Sequence, residues 1–156
     1  VIDMSVETMA RLFELKNIVG VKDATGDLNR AEQQQKIMGD KFIMLTGEDA
    51  NALEFNKKGG TGCISVTANV AAKLCSEMQS ASLTRDDLKL QKKAEDIYRL
   101  LTPLNKSLFI ESNPSPVKYA ASLLKLSTDD VRPPLVKITD PTKSAVEQAL
   151  KYAHLI

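Results

Sequence analysis

The sequence predicts an α/β fold in which parallel βα units are followed by a purely helical part. Short, nearly all-apolar segments at residues 18–22, 42–45 and 62–66 alternate with helix-forming segments about every 20 to 25 residues, which is typical of parallel βα units. All seven glycines precede residue 63 and all six prolines follow residue 102. The two ends of the chain are therefore built differently.

Helix signals separate the three predicted strands. Ser5 is a candidate cap for a helix whose apolar residues 6, 9, 10 and 13 fall on one face. Asp27 opens a polar helix that Gly39 is well placed to end. A helix is predicted before the glycines at 59 and 60, and another starts at residue 67 or 69 and runs to about residue 82.

The second part of the chain is predicted to be helical. Thr84 is a candidate cap for a long helix to about residue 106, with Asp86 and Asp87 in its first turn. The run at 113–116 contains two prolines and ends that helical region, and helices follow at 117–126 and from residue 140. We therefore assign residues 1–84 to the βα part and residues 85–156 to a helical domain. Three parallel strands do not close a barrel, so we expect further strands before Val1 in the complete fold.

Composition limits the partners that the protein can have. Twenty-one Lys and Arg against twenty Asp and Glu leave a net charge of +1, which gives no electrostatic case for nucleic acid or an anionic membrane. No stretch is long and apolar enough to span a membrane, and residues 1–4 lack the features of a secretory signal. Cys63 and Cys75 are interpreted as free thiols of a cytoplasmic protein, and the single His154 cannot build a zinc site.

Lys22 is the strand-end residue with reactive potential. Functional groups of parallel βα folds collect at the C-terminal ends of strands, and Lys22 ends the first strand. Alternation puts Gly20 and Lys22 on one face and Val19 and Val21 on the other. If the valines contact surrounding helices, Lys22 points to the interior, where a desolvated amine is a candidate Schiff-base nucleophile. The alternative is a solvated lysine, or one paired with Asp23, because such lysines are common.

Two other patterns are interpreted as structural. The glycine-rich run at 59–62 lacks the following Lys-Ser/Thr of a phosphate loop and precedes a strand instead of following one, so it predicts a tight turn. The carboxylates Asp23 and Asp27, and also Glu48 and Asp49, are close in sequence, but such short-range pairs usually cap helices.

Four segments together resemble the lyase family that dihydrodipicolinate synthase shares with N-acetylneuraminate lyase. They are residues 18–28, 45–49, 59–69 and 109–118. The first and third are typical of the whole family, whereas the Asn-Pro-x-Pro-Val-Lys run at 113–118 favours the dihydrodipicolinate synthase branch. The resemblance extends from Val1 to Ile156 and corresponds to the C-terminal half of the family's chain, after the fifth barrel strand.

The resemblance implies a (β/α)8 TIM barrel with a C-terminal helical domain, of which residues 1–84 supply strands six to eight. It implies that Lys22 forms an imine with pyruvate without a separate cofactor or metal. Gly47 and Ile64 correspond to positions that line the pyruvate pocket, Ile64 through main-chain groups near the pyruvate carboxylate. The family's enamine then attacks aspartate semialdehyde and gives 4-hydroxy-tetrahydrodipicolinate, a precursor of diaminopimelate and lysine. A homotetramer is also implied.

One departure from the family pattern concerns proton transfer. The family's relay tyrosine, its threonine partner and the arginine for the aldehyde substrate belong to the N-terminal half, and Tyr98, Tyr119 and Tyr152 correspond to none of them. We therefore expect this chain to need that half as a partner for turnover. Two alternatives remain open. One is a sibling lyase for N-acetylneuraminate or a keto-sugar acid, and the other is a non-catalytic α/β interaction module in which Lys22 is a solvated strand end.

Overall fold

A computed structural model of the chain describes residues 3–156. These residues form seven α-helices and three β-strands. Two compact units are present, of which the first ends at Ile64 and the second begins at Ser65. The first unit contains all three strands, and the second is helical.

The first unit alternates helices and strands as the sequence predicts. In chain order its elements are α1 (Val6–Phe13), β1 (Gly20–Asp23), α2 (Leu28–Met38), β2 (Ile43–Thr46), a 3₁₀ turn (Asp49–Asn51), α3 (Ala52–Lys57) and β3 (Gly62–Cys63). The strands form one parallel sheet in the order β1-β2-β3.

The predicted helix caps of α1 and α2 are confirmed. The Ser5 hydroxyl accepts a hydrogen bond from the Thr8 N–H at 3.2 Å, and the Asp27 carboxylate accepts one from the Asn29 N–H at 2.9 Å. Each bond satisfies a backbone donor that the first turn of a helix leaves without a partner. Gly39 ends α2 at a φ of 70°, a left-handed conformation that glycine adopts without steric cost.

One face of the sheet packs against helices and forms the core of the first unit. Ala31, Phe42, Met44 and Phe55 are buried together, and the ring of Phe13 meets that of Phe42 edge-on at a centroid distance of 5.0 Å. The covered face of the sheet is therefore the one on which these apolar side chains lie.

The third strand is shorter than predicted. Its two residues pair with Leu45 and Thr46, which are the last two residues of β2. The Ile64 N–H still donates to the Thr46 carbonyl at 2.9 Å. Strand β2 has ended at that point, so residues beyond Ile64 find no further strand partner and the ladder stops.

The second unit consists of four helices. They are α4 (Ala68–Leu83), α5 (Leu88–Ser107), α6 (Ser115–Leu123) and α7 (Asp140–Tyr152). Leu101 and Leu104 of α5 and Val146 and Leu150 of α7 are almost completely buried. Helix α5 packs against both α4 and α7, which makes it the centre of this unit.

The prediction that Thr84 caps α5 is wrong. Thr84 instead ends α4, and its hydroxyl donates to the Ser80 carbonyl at 3.2 Å. Asp87 caps α5, because its carboxylate accepts hydrogen bonds from the Lys89 and Leu90 N–H groups at 2.9 and 3.1 Å. A carboxylate at this position also interacts favourably with the helix dipole.

The division into compact units differs from the sequence assignment in the place of one helix. Helix α4 belongs to the second unit because it packs extensively on α5. Within residues 3–156, none of the helices has the length and apolar character needed to cross a membrane.

Candidate active site

Lys22 lies on the sheet face that the helices of the first unit leave uncovered. Its neighbours in β1 point the other way, since Val21 packs against the core and Asp23 is only 7% exposed. Lys22 itself is exposed and pairs with Leu45 of β2. Val19 precedes β1 and is 59% exposed, so Val21 alone makes the helix contact that alternation predicted for both valines.

Gly47 provides the space in which the Lys22 side chain lies. A Cβ atom placed on Gly47 would be 2.7 Å from Lys22 Cε, closer than real Cβ contacts, and 3.0 Å from Ala24 Cβ, which is unusually tight. The Gly47 N–H donates to the Asp23 carbonyl at 2.7 Å, which holds the loop after β2 against the end of β1. The stem of Lys22 therefore extends across a glycine that a larger residue could not replace without movement.

Gly20 lies where strand β2 approaches β1 closely. A Cβ atom on Gly20 would lie 2.2 Å from the Ile43 carbonyl oxygen and 2.7 Å from Ile43 Cβ. The glycine is thus required by the close approach of β2, in addition to any space that it leaves beneath Lys22.

Ile64 lies directly after β3, and its side chain is 49% exposed. Its N–H is used by the sheet, because it donates to the Thr46 carbonyl at 2.9 Å. The main-chain group of Ile64 that remains for a ligand is its carbonyl oxygen. A carboxylate beside Ile64 therefore needs hydrogen-bond donors from neighbouring groups.

Asp23 does not pair with Lys22, contrary to one of the alternatives that the sequence left open. Its carboxylate lies on the helix-covered face, where Arg30 Nε donates to Oδ2 at 3.1 Å. Burial raises the pKa of this carboxyl, but the hydrogen bonds from Thr25, Arg30 and Gln34 outweigh burial and hold the pKa below its usual value. Sequence reasoning missed this role, because Arg30 and Gln34 reach Asp23 only once α2 packs on the sheet.

Asp27 and Glu48, two of the other close carboxylates, act as caps. Asp27 caps α2, and the Glu48 carboxylate accepts a hydrogen bond from the Ala50 N–H at 3.2 Å at the start of the 3₁₀ turn. Neither geometry resembles a catalytic carboxylate pair, which confirms the structural interpretation of these residues.

The segment at residues 109–115, which leads into the proline-containing run, borders an open cavity of about 620 Å³. Residues 109–113 and 115 line one side of it, and residues 134–136 line the other. The carboxylate of Glu111 is held by the Thr139 N–H and hydroxyl, at 3.0 and 2.8 Å. This segment is therefore anchored to the start of α7 through Glu111, and it presents polar and apolar groups to the cavity.

The arrangement around Lys22 suits addition of an amine to a carbonyl compound. A primary amine stands at the C-terminal end of a parallel strand, its stem is confined by a glycine, and half-exposed apolar side chains lie on the same sheet face. The profile of the dihydrodipicolinate synthetase family matches residues 1–153. The chain belongs to that family.

Individual members of the family are similar over the whole chain. The 4-hydroxy-tetrahydrodipicolinate synthase of Pelagibacter ubique (strain HTCC1062) is 63% identical over 157 residues, which cover 100% of this chain and 53% of the relative. The chain thus spans about half the length of the curated relatives that it matches.

Solved structures agree with this assignment. The chloride-inhibited dihydrodipicolinate synthase from Acinetobacter baumannii in complex with pyruvate is 37% identical, with a TM-score of 0.91 over 99% of this chain and 52% of that chain. A structure described as the first monomeric dihydrodipicolinate synthase variant is 32% identical, with a TM-score of 0.89 over 97% of this chain and 50% of that chain.

Proposed function

We propose that Lys22 is the Schiff-base lysine of a pyruvate lyase that forms 4-hydroxy-tetrahydrodipicolinate from pyruvate and aspartate semialdehyde, in the pathway to diaminopimelate and lysine. The observation that carries this proposal is the position of Lys22, which lies one residue before the end of β1 and extends across Gly47. The synthase names of the similar proteins and the pyruvate bound to one related structure support it.

The chemistry starts with an amine and a ketone. Lys22 Nζ adds to C2 of pyruvate and water leaves, which gives an imine. Loss of a proton from C3 gives an enamine, and its C3 attacks the aldehyde carbon of aspartate semialdehyde. The amine of that second substrate then displaces Lys22 Nζ from C2 and closes the ring, so that the net reaction releases one water. The imine is covalent, and we propose no separate cofactor or metal.

Gly47 and Ile64 are the proposed pyruvate contacts. Gly47 has no side chain between Lys22 and the space above the strand end, so a three-carbon acid has access to the amine. Ile64 offers a half-exposed apolar side chain, whereas its N–H is already bonded to the Thr46 carbonyl. Together they favour a small, partly apolar keto acid over a bulky one.

The three strands are proposed to be strands six to eight of a (β/α)8 barrel, with residues 1–84 in the barrel and residues 85–156 in a C-terminal helical domain. The exposed Ile43 and Ile64 on the open sheet face support this proposal, because barrel interiors are filled by such side chains. The N-terminal half of the barrel is then the partner that covers this face.

The complete protein is proposed to be a cytoplasmic homotetramer. Cys63 and Cys75 form no disulfide among residues 3–156, which suits a reducing compartment. A related structure described as the first monomeric variant supports an oligomeric state for the enzymes that it is compared with. Light scattering of the complete protein at micromolar concentration is expected to give the mass of a tetramer, and the mass of a stable monomer would contradict it.

A sibling lyase for N-acetylneuraminate or another keto-sugar acid would use the same lysine and a different acceptor. The Asn-Pro-x-Pro-Val-Lys run and the names of the relatives favour aspartate semialdehyde. Condensation assays with pyruvate and either aspartate semialdehyde or N-acetylmannosamine separate the two, and turnover with the sugar alone would overturn the preferred substrate.

Borohydride trapping tests the role of Lys22. The full-length protein is incubated with pyruvate and borohydride, and peptide mass mapping is expected to place the reduced adduct on the peptide that contains Lys22. Lys22→Ala is expected to abolish the adduct. Lys41→Ala is the matched control, because Lys41 is an exposed lysine that lies just before β2, at the other end of the sheet. An adduct on another lysine would contradict the proposal.

A further inference from the structure

The carboxylate of Asp23 is surrounded by four hydrogen-bond donors. The Thr25 N–H and hydroxyl donate to Oδ1 at 2.8 and 2.7 Å. Arg30 Nε and Gln34 Nε2 both donate to Oδ2 at 3.1 Å. A buried carboxylate held on both oxygens has a single orientation, so Asp23 ties the end of β1 to the following loop and to helix α2.

The main chain of Asp23 holds the other side of the Lys22 site. Its carbonyl accepts the 2.7 Å hydrogen bond from Gly47, the residue across which Lys22 extends. One residue is therefore bonded through its side chain to α2 and through its backbone to the loop that confines the lysine. Moving Asp23 would change the position of the Lys22 backbone and of Gly47 together.

We propose that Asp23 is a positioning residue for imine formation at Lys22, and that Arg30 and Gln34 act through it. The inference rests on the proposed function of Lys22. Because the Lys22 stem lies against Gly47, a displacement of the strand end changes where the amine stands, and a misplacement of about 1 Å can cost roughly 100-fold in rate. Asp23 and Gln34 are buried on the face of the sheet opposite Lys22, so the network is proposed to act on the amine through the backbone.

A substitution of Gln34 can distinguish a positioning effect from a loss of stability. Its side chain is completely buried, and Nε2 donates to Asp23, whereas Oε1 has no hydrogen-bond partner among residues 3–156. Gln34→Met keeps the length of the side chain and removes the bond to Asp23, a 3.5 Å hydrogen bond from Nε2 to Met9 Sδ and an unsatisfied acceptor. The substitution is therefore expected to weaken the positioning network without lowering thermal stability.

The test measures how fast pyruvate becomes attached to Lys22. In the full-length protein, borohydride added at timed intervals traps the adduct at saturating pyruvate, and the half-saturating pyruvate concentration and the melting temperature are measured in parallel. We expect Asp23→Asn to slow trapping about tenfold or more and Gln34→Met to slow it about threefold, with half-saturation changed less than about twofold. Asp23→Glu keeps the charge opposite Arg30 and is expected to recover most of the rate.

Asp87→Ala is the matched control, because it removes a carboxylate with two hydrogen bonds in the second unit. It is expected to lower the melting temperature and leave the trapping rate unchanged. If both Asp23→Asn and Gln34→Met trap pyruvate at the wild-type rate, the positioning role is overturned and the proposed function of Lys22 stands. If Asp23→Asn fails to fold, the trapping rate of Gln34→Met decides the positioning role. Rates that follow the melting temperature in every variant would also overturn it. Absence of any adduct on wild-type Lys22 would overturn the proposed function and this inference with it.

Discussion

At the scale of single residues, the Lys22 site depends on the absence of a side chain at Gly47 as much as on the lysine amine. A Cβ atom on residue 47 would lie 2.7 Å from Lys22 Cε and 3.0 Å from Ala24 Cβ. The fit between a long lysine and a glycine 25 residues later is therefore a specific packing contact.

Gly47→Ala tests this contact. The added methyl group would stand 2.7 Å from Lys22 Cε, so the lysine has to move, and we expect pyruvate trapping to slow about tenfold or more. Gly39→Ala is the control, because a Cβ at Gly39 meets nothing within 4 Å while its φ of 70° still disfavours alanine. The control is expected to cost about 1 kcal/mol of stability and leave trapping unchanged. Equal trapping rates in both variants would contradict the packing argument.

The hydroxyl of Tyr119 is held in a structural hydrogen bond between two helices. Its hydroxyl donates to Glu147 Oε1 at 2.6 Å, and this hydrogen bond raises the pKa of Tyr119 to about 12. The phenol keeps its proton at neutral pH and is bonded to a carboxylate, which agrees with its having no counterpart in the family's proton relay.

The stabilising contribution of Tyr119 is expected to depend on alkaline pH. The folded pKa of about 12 lies above the ordinary value of 10, so only the unfolded chain loses the proton between these values. The contribution is therefore complete below pH 10 and is lost as the pH rises toward 12. Ultraviolet titration is expected to show a tyrosine phase near pH 12 that disappears in Tyr119→Phe. An unchanged titration curve in that variant would contradict the assignment.

At the scale of elements, the start of α5 depends on a competition between two candidate caps. Thr84 is used by the end of α4, where its hydroxyl bonds back to Ser80, so it is not available to the next helix. Asp87 then supplies the oxygen that accepts from two backbone donors of α5. The helix begins three residues later than a cap at Thr84 would imply.

Cap substitutions separate the two residues. Asp87→Ala is expected to lower the free energy of unfolding by about 1 kcal/mol, because two N–H groups lose their acceptor. Thr84→Val keeps the size and shape of the side chain and is expected to cost less than about 0.5 kcal/mol, since the lost hydroxyl bonds a carbonyl at an exposed site. Chemical denaturation of both variants measures the difference, and a larger loss in Thr84→Val would restore Thr84 as the more important cap.

At the scale of the whole molecule, the sheet of the first unit has one covered and one open face. Ile43 is 45% exposed and Ile64 is 49% exposed on the side of Lys22. Apolar side chains on an open sheet face favour association with another part of a protein. This arrangement agrees with relatives that are about twice as long as this chain.

We predict that the 156-residue chain alone does not sustain the condensation. The sheet face around Lys22 is open to water, and the proton transfers of the reaction need groups positioned around the amine. The N-terminal half is proposed to supply these groups. Addition of a separately expressed N-terminal half is expected to restore turnover of pyruvate and aspartate semialdehyde. A mixture with the Lys22→Ala chain serves as the control. Full activity of the chain alone would contradict the prediction.

Local signals in the sequence determined a large part of the fold and the position of Lys22 at a strand end. The alternation of strands and helices, the caps Ser5 and Asp27, and the placement of Lys22 at a strand end follow from short-range pattern and propensity. These features depend on neighbours within a few residues, so one sequence is sufficient to predict them. The family resemblance added the assignment of the lysine, because four separate segments carry it.

The tertiary structure alone decided the features that depend on distant partners. Arg30 and Gln34 reach Asp23 across 7 and 11 residues only because α2 packs on the sheet. The need for glycine at position 47 arises where two strand ends meet, and β3 stops after two residues because β2 ends beside it. Such contacts are set by the packing of elements in space, and a pattern along the chain carries no record of which side chains that packing brings together.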